Sequence, residues 1–176
     1  METLVWTLKS WWGVQGVATA AKRPLALAIA GLDWSESEFE AAPTPAGGSL
    51  RAAERVEAAV AEACRLGVTR KEYSLISKVL HWLSPWQIPA YDNYVRRTLG
   101  VLEWEQPRAY REVARKLLSM ASELEVEGTE WIGGADPRST LRALDKYFWW
   151  AGGGGSDGGT SIKDPWRVLR DLGIEF

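Results

Sequence analysis

The stretch SKVLHWLSPWQIPAYDNYVRRTLG, residues 77–100, is the part of this chain that best indicates its fold. It joins two apolar segments through a short turn that contains two prolines. Asp92 follows the turn at the start of the second segment, where free backbone N–H groups favour a negative charge. Arg96 and Arg97 follow within two helical turns, so a carboxylate and a basic face are expected at one helix end. This layout suits chemistry on a polyanion, and it equally suits an ordinary helix N-terminus.

The rest of the chain is predicted to be almost entirely helical. The clearest helix covers residues 49–67, because Ser49 suits an N-cap, Ala and Glu dominate, and Gly67 ends the pattern. One or two helices are expected before residue 31, and others over 71–83, 90–99, 107–124, 139–150 and about 164–173. Strand and hairpin signals are weak. We therefore predict an all-α fold, a single helical domain over residues 1–176, with flexible loops near 33–48 and 151–160.

The composition bounds the classes of protein to consider. The formal net charge of −2 argues against a surface that is basic throughout, although it allows a local basic patch. The single cysteine, Cys64, excludes an internal disulfide, and its place in an Ala-rich pattern predicts a buried side chain. No apolar run approaches the roughly 20 residues of a membrane span. We expect a cytoplasmic protein with no membrane partner, and the sequence leaves the oligomeric state open.

Motifs for common catalytic chemistries are missing. One histidine and one cysteine do not make a metal site, and no phosphate loop or dinucleotide fingerprint is present. We therefore expect no metal and no cofactor. The 11 tryptophans are mainly expected to fill the core. Trp82 and Trp86 flank the turn before Asp92 and are the best candidates to line a ligand groove.

Residues 89–100, PAYDNYVRRTLG, resemble a segment of the helix-hairpin-helix DNA glycosylase superfamily. In that superfamily a loop with a proline precedes an aspartate that opens a helix, and Asp92, Val95 and Arg97 fall in step with the pattern. The resemblance implies that Asp92 stabilises positive charge on the sugar as the base departs. The family's glycine-rich hairpin is represented here only by Gly67. No cysteine cluster for an iron–sulfur centre is present.

Lyase-type members of that superfamily use a lysine that attacks the sugar carbon. Lys71 and Lys78 are the two candidates in this chain, and we assign the attacking role to Lys78 and a phosphate contact to Lys71. The alternative for Lys78 is a solvated or snorkelling side chain, which is the usual state of a helical lysine.

A second resemblance covers two motifs. The chain is similar to uncharacterised bacterial proteins that carry an SKxLHFxxPxxxPIxD-like motif and an RxLDxxLW-like motif. Here they read SKVLHW, from residue 77, with Pro89 and Asp92, and RALDKYFW over residues 142–149. That group looks like a divergent branch of the glycosylase fold, so this resemblance implies a fold more than a reaction.

The two resemblances imply a set of site residues. They are the catalytic Asp92 and Lys78, the base-stacking or ligand-stacking Trp82, Trp86 and Tyr91, the phosphate-binding Arg96, Arg97 and Lys71, and the supporting His81, Arg142 and Asp145. Simpler roles stay open for several of them. Asp92 could be a negative charge at a helix N-terminus with no catalytic role, and His81 could be a packed structural histidine. Arg142 could pair with Asp145 instead of reaching Asp92.

The function that these residues imply is nucleic-acid binding, with DNA as the partner and excision of a damaged or unusual base as the reaction. The base would be flipped into an aromatic pocket. One alternative is a non-catalytic helical interaction protein that keeps the fold without the chemistry. Another is an enzyme that acts on free nucleosides or nucleotides.

Overall fold

The structure, a computed structural model, describes residues 1–11, 17–32, 45–84, 88–103, 105–126, 141, 144–145 and 147–154. In chain order its helices are α1 (Glu2–Trp11), a 3-10 turn (Thr19–Ala21), α2 (Lys22–Ala30), α3 (Pro45–Arg65), α4 (Tyr73–Leu83), α5 (Asn93–Thr98) and α6 (Arg108–Val126). The described residues between 141 and 149 are also helical, and a π-helical turn follows (Trp150–Gly154). The described part of the chain contains no strand, which confirms the all-α prediction.

The ends of α3 show one prediction that was wrong and one that is confirmed. The helix begins at Pro45 rather than after Ser49, because proline is well suited to a first helical turn. Residues 45–48 are therefore helical, while the rest of the predicted loop, 33–44, lies outside the described residues, as does the helix predicted near 164–173. Gly67 ends the helix as predicted. Its φ is +98°, and the N–H of Val68 reaches back to the carbonyl of Ala63, which is a Schellman cap.

The core lies around α4, which packs against α1, α2 and α3. Eight residues of α4 are buried, and they include the polar Ser77, Lys78 and His81 as well as its apolar stripe. A helix buried on so many sides must find a partner for each polar side chain. Helices α3 and α6 pack along each other, and Arg111 of α6 makes a bidentate ion pair with Glu57 of α3, with both N–O distances at 2.6 Å.

Cys64 is exposed, which corrects the prediction that it is buried. The buried stripe of α3 passes through Val56, Val60 and Ala63. Because successive helical residues are separated by about 100°, the position after Ala63 points away from the core. No helix among the described residues has the length and apolar character that crossing a bilayer requires.

The first glycines of the GGGGSDGG tract are part of the packed structure. Gly152 lies against α5, so close that a Cβ there would come within 2.7 Å of Thr98 Oγ1 and 2.8 Å of the Tyr94 carbonyl oxygen. Gly153 has φ of +97°, a conformation that side chains rarely adopt. The prediction of a flexible loop near 151–160 is therefore wrong for 151–154, and 155–160 lie outside the described residues. Only glycine allows the chain to approach α5 this closely.

Replacing Gly152 with alanine should destabilise the protein by about 2 kcal/mol, because the new methyl group overlaps backbone atoms of Tyr94 that cannot move independently. Urea denaturation of the variant measures this loss. Gly31→Ala is the matched control, since its Cβ would meet its nearest neighbour, the Leu27 carbonyl oxygen, at an ordinary 3.4 Å. Equal stability of the two variants would contradict the close packing of Gly152 on α5.

Candidate functional site

The two residues predicted to be catalytic lie in contact. Lys78 Nζ donates a hydrogen bond to Asp92 Oδ2 at 2.7 Å, and the pair joins the middle of α4 to the start of α5. The side chain of Lys78 is 6% exposed and that of Asp92 is 15% exposed. Both charges are therefore largely removed from water, and the more accessible one is the carboxylate. The alternative of a solvated Lys78 does not hold in this structure.

Asp92 also caps α5. Its backbone is extended, and Oδ1 accepts a hydrogen bond from the N–H of Tyr94 at 2.8 Å, while Oδ2 faces Lys78. The cap satisfies an otherwise free helix N–H and fixes the orientation of the carboxylate. Asp92 is thus both a helix cap, as the simpler interpretation expects, and the partner of the buried lysine.

Side chains of α4, and of Ser84 directly after it, hold the turn that leads to Asp92. Ser77 Oγ accepts a hydrogen bond from the N–H of Tyr91 at 2.9 Å, and Ser84 Oγ accepts one from the N–H of Ile88 at 3.1 Å. His81 Nδ1 lies 2.6 Å from the Ile88 carbonyl oxygen. A carbonyl can only accept, so Nδ1 carries the proton. The fully buried His81 therefore supports the turn, as expected of a packed structural histidine.

Tyr91 is not available for stacking on a ligand, which corrects that prediction. Its ring is buried and meets Tyr110 edge-on, with 6.0 Å between the ring centroids. Burial raises the pKa of Tyr91, and a hydrogen bond with Gln106 partly opposes the rise. Tyr110 in turn donates a hydrogen bond to the Pro89 carbonyl oxygen at 3.0 Å. The two tyrosines therefore anchor the turn to the core.

The two consecutive arginines of α5 have different environments. Arg96 is buried, and its Nη1 donates to the carbonyl oxygens of Val101 at 2.8 Å and Glu103 at 3.2 Å. Its predicted phosphate contact is therefore wrong, since the guanidinium serves the backbone that leaves α5. Arg97 is exposed, as is Lys71 before α4, so both remain accessible to a ligand.

Of the other predicted site residues, one is accessible, one is buried and two lie outside the described residues. Trp82 is 36% exposed near the end of α4 and keeps an accessible ring surface. Asp145 is buried. Trp86 and Arg142 lie outside the described residues. Among the residues that the structure describes, no group of His, Cys, Asp or Glu could hold a metal ion.

Several supporting residues were missed in the sequence. Ser77 and Ser84 are seven residues apart, a spacing that places both on one face of a helix and could have indicated a shared role. Tyr110 and Gly152 gave no local signal, because their partners in the turn and in α5 are distant in sequence. Glu72, just before α4, was also missed. It is buried, and burial raises the pKa of its carboxyl group while the charge of Arg70 lowers it to a smaller extent.

Removing the charge of Asp92 should cost more stability than removing the charge of Lys78. Asp92→Asn keeps an oxygen for the Tyr94 N–H but leaves the buried ammonium without its carboxylate, at a cost of about 3 kcal/mol. Lys78→Met keeps the apolar stem and leaves a carboxylate that water can reach, so we expect about 1 kcal/mol. Denaturant titration of both variants and of the double variant provides the test. Strict additivity of the two losses would contradict a direct ion pair.

Glu72→Gln should stabilise the protein at neutral pH. The pKa of Glu72 is raised in the folded state, so ionisation opposes folding. This penalty is absent below the ordinary pKa of 4.5 and complete above the raised pKa of the folded state. The gain in unfolding midpoint should therefore grow as the pH is raised from about 4 to neutral. Glu54→Gln, at an exposed position of α3, is the control. The same gain at both ends of the pH range would contradict the prediction.

Comparisons with known proteins do not assign this chain to a family. No family model matches it, and no significant match was found among curated proteins or among solved structures. Function is therefore inferred from the contacts of the described residues and from the resemblances of the sequence.

Proposed function

We propose that this chain is a nucleic-acid-binding protein with a DNA glycosylase-like fold, and that it excises a damaged or unusual base through Lys78 and Asp92. The observation that carries the proposal is the 2.7 Å contact between the lysine amine and the carboxylate. Two motif residues that are 14 positions apart meet in one largely buried pair. A lysine and a carboxylate are the two groups that a lyase-type glycosylase reaction requires.

The chemistry begins with a proton transfer within the pair. Asp92 accepts a proton from the Lys78 ammonium, and the neutral amine attacks C1′ of the nucleoside. The bond between C1′ and the base breaks, its electron pair leaves with the base, and the base takes up the proton that Asp92 holds. Ring opening then breaks the bond between C1′ and the ring oxygen. The ring oxygen takes a proton from the nitrogen of the sugar–lysine adduct and becomes the 4′-hydroxyl group, which leaves a protonated imine between C1′ and the lysine without release of water. The carboxylate side of the pair is the more exposed, so the sugar would approach there.

Accessible groups on α4, on α5 and just before α4 suit the rest of the substrate. Arg97 and Lys71 are exposed cations that could hold phosphates on either side of the reacting nucleotide. Trp82 offers a partly exposed indole for stacking on a flipped base. In this proposal Tyr91 and Arg96 act only through the scaffold, because both are buried.

A second candidate function is supported by the burial of the pair. Lys78 is 6% exposed, and Tyr91 and Arg96, two of the other predicted site residues, are also buried. A non-catalytic interaction protein would have the same contacts, with Lys78 and Asp92 serving only to tie α4 to α5. The third alternative, an enzyme of free nucleosides or nucleotides, has no separate observation in its favour.

Borohydride trapping separates the two candidates. A duplex with an aldehydic abasic site is incubated with the protein and reduced, so that any imine with lysine becomes a permanent adduct. We expect an adduct with the natural protein and at least a tenfold loss with Lys78→Arg, which keeps a cation beside Asp92 but cannot form the imine. Lys116→Arg, on α6, is the control and should trap normally, since arginine can still donate to the Leu99 carbonyl. An adduct that persists in Lys78→Arg would rule out Lys78 as the nucleophile.

Duplex binding is measured in parallel. Affinity should fall with increasing salt, and Arg97→Ala should weaken it several-fold. Arg65→Ala is the matched control, because Arg65 is an exposed arginine at the end of α3 that pairs with Glu62. The absence of any binding to duplex or single strand at low salt would favour the interaction protein.

A further inference from the structure

A second cluster of cations, which does not include Lys78, lies where α1 packs against α2. The ammonium groups of Lys9 and Lys22 both lie over the ring of Trp6, at 5.1 Å and 5.7 Å from its centroid. Trp6 and Lys9 are three residues apart on α1, and Lys22 is the first residue of α2. We call these three residues the Trp6 cluster.

Within the described part of the chain, the positive charge of the Trp6 cluster has no ion-paired carboxylate. The first turn of α2 contains no acidic residue, and Lys22 lies at the helix end that carries the positive dipole. Arg23, which is exposed, adds a third cation beside it. Like charges at a positive helix end repel one another, and a bound anion would relieve that repulsion.

The indole holds the two cations in place. Each ammonium group is attracted to the face of the ring, which limits the positions that the long side chains sample. Trp6 itself packs partly against the core, so the ring is a fixed platform. A pair of lysines arranged in this way is better prepared for an extended anion than two independent surface lysines, because less side-chain entropy is lost on binding.

The packing of α1 and α2 disfavours a membrane as the ligand. The inward-facing apolar residues of the two helices, Val5 of α1 with Leu25 and Ile29 of α2, are completely buried in the core, and Leu27 is the one large apolar residue of α2 that is exposed. Interfacial helices bind membranes through a free apolar face. These helices use that face within the protein and present cations and part of an indole at its surface.

We propose that the Trp6 cluster is a second anion-binding site, which binds the phosphodiester backbone of a nucleic acid. The choice of nucleic acid as the polyanion rests on the proposed function, whereas the site itself does not depend on the chemistry of Lys78. Cations that follow a backbone beside a partly exposed aromatic ring are typical of nucleic-acid grooves. The protein would then hold a nucleic acid both at the α4–α5 site and at the α1–α2 surface.

The slope of affinity against salt tests this site. Binding of an undamaged labelled duplex and of a single strand is measured at several salt concentrations for the natural protein and for Lys9→Gln/Lys22→Gln. We expect about tenfold weaker binding, and a slope of log K against log salt that is smaller by about 2 for duplex DNA, because two phosphate contacts are lost. Arg65→Gln/Arg115→Gln is the matched control, since both of its arginines are exposed and pair with a glutamate on their own helix. An unchanged slope in the lysine variant would overturn the proposal.

A second measurement distinguishes failure of this site from failure of the proposed function. The indole N–H signal of Trp6, assigned by its loss in Trp6→Phe, is followed by NMR during addition of tripolyphosphate. A shift that disappears in Lys9→Gln/Lys22→Gln supports the anion site even if no oligonucleotide binds, in which case the proposed function fails and the site stands. The absence of a shift overturns the site. Binding to vesicles of anionic lipid without binding to any oligonucleotide would overturn nucleic acid as the ligand of this site.

Discussion

The ion pair between Lys78 and Asp92 is the interaction on which the rest of the site depends. Two charges that are mostly removed from water are stable only when each satisfies the other, so the pair sets the distance between α4 and the start of α5. The turn between them is held by Ser77, His81 and Tyr110, each of which bonds a backbone group of that turn. The carboxylate also caps α5, so one of its oxygens is held by Lys78 and the other by the N–H of Tyr94.

The same geometry can serve a tether or a reaction. A lysine and a carboxylate in contact can exchange a proton when a substrate enters. Because Asp92 is partly exposed, a substrate could reach the pair from the side of the carboxylate. A static tether requires no such opening. The surface cations favour the reaction over the tether, because Arg97, Lys71 and the Trp6 cluster would together hold a nucleic acid by its phosphates. A formal net charge of −2 for the chain does not prevent such local basic patches.

Consecutive residues of one helix have different environments in this protein. Arg96 and Arg97 are consecutive, yet the helix turns the first towards the carbonyl groups that follow α5 and the second towards water. Ala63 and Cys64 differ in the same way on α3. In both places the sequence-based interpretation was right about the helix and wrong about which residue faces the ligand or the core. Which residues of a helix face the core depends on the elements that pack against the helix, so the sequence of the helix alone does not determine it.

The sequence by itself determined the helices, the cap at Asp92 and the stop at Gly67, because these features depend on contacts between residues that are close along the chain. It also indicated that Lys78 and Asp92 share a site, through a resemblance of motifs. Only the tertiary structure decided that the two are in contact, that Arg96 and Tyr91 belong to the core, and that Gly152 packs against α5. Those outcomes depend on partners in other elements, and a local pattern carries no information about how distant elements approach one another.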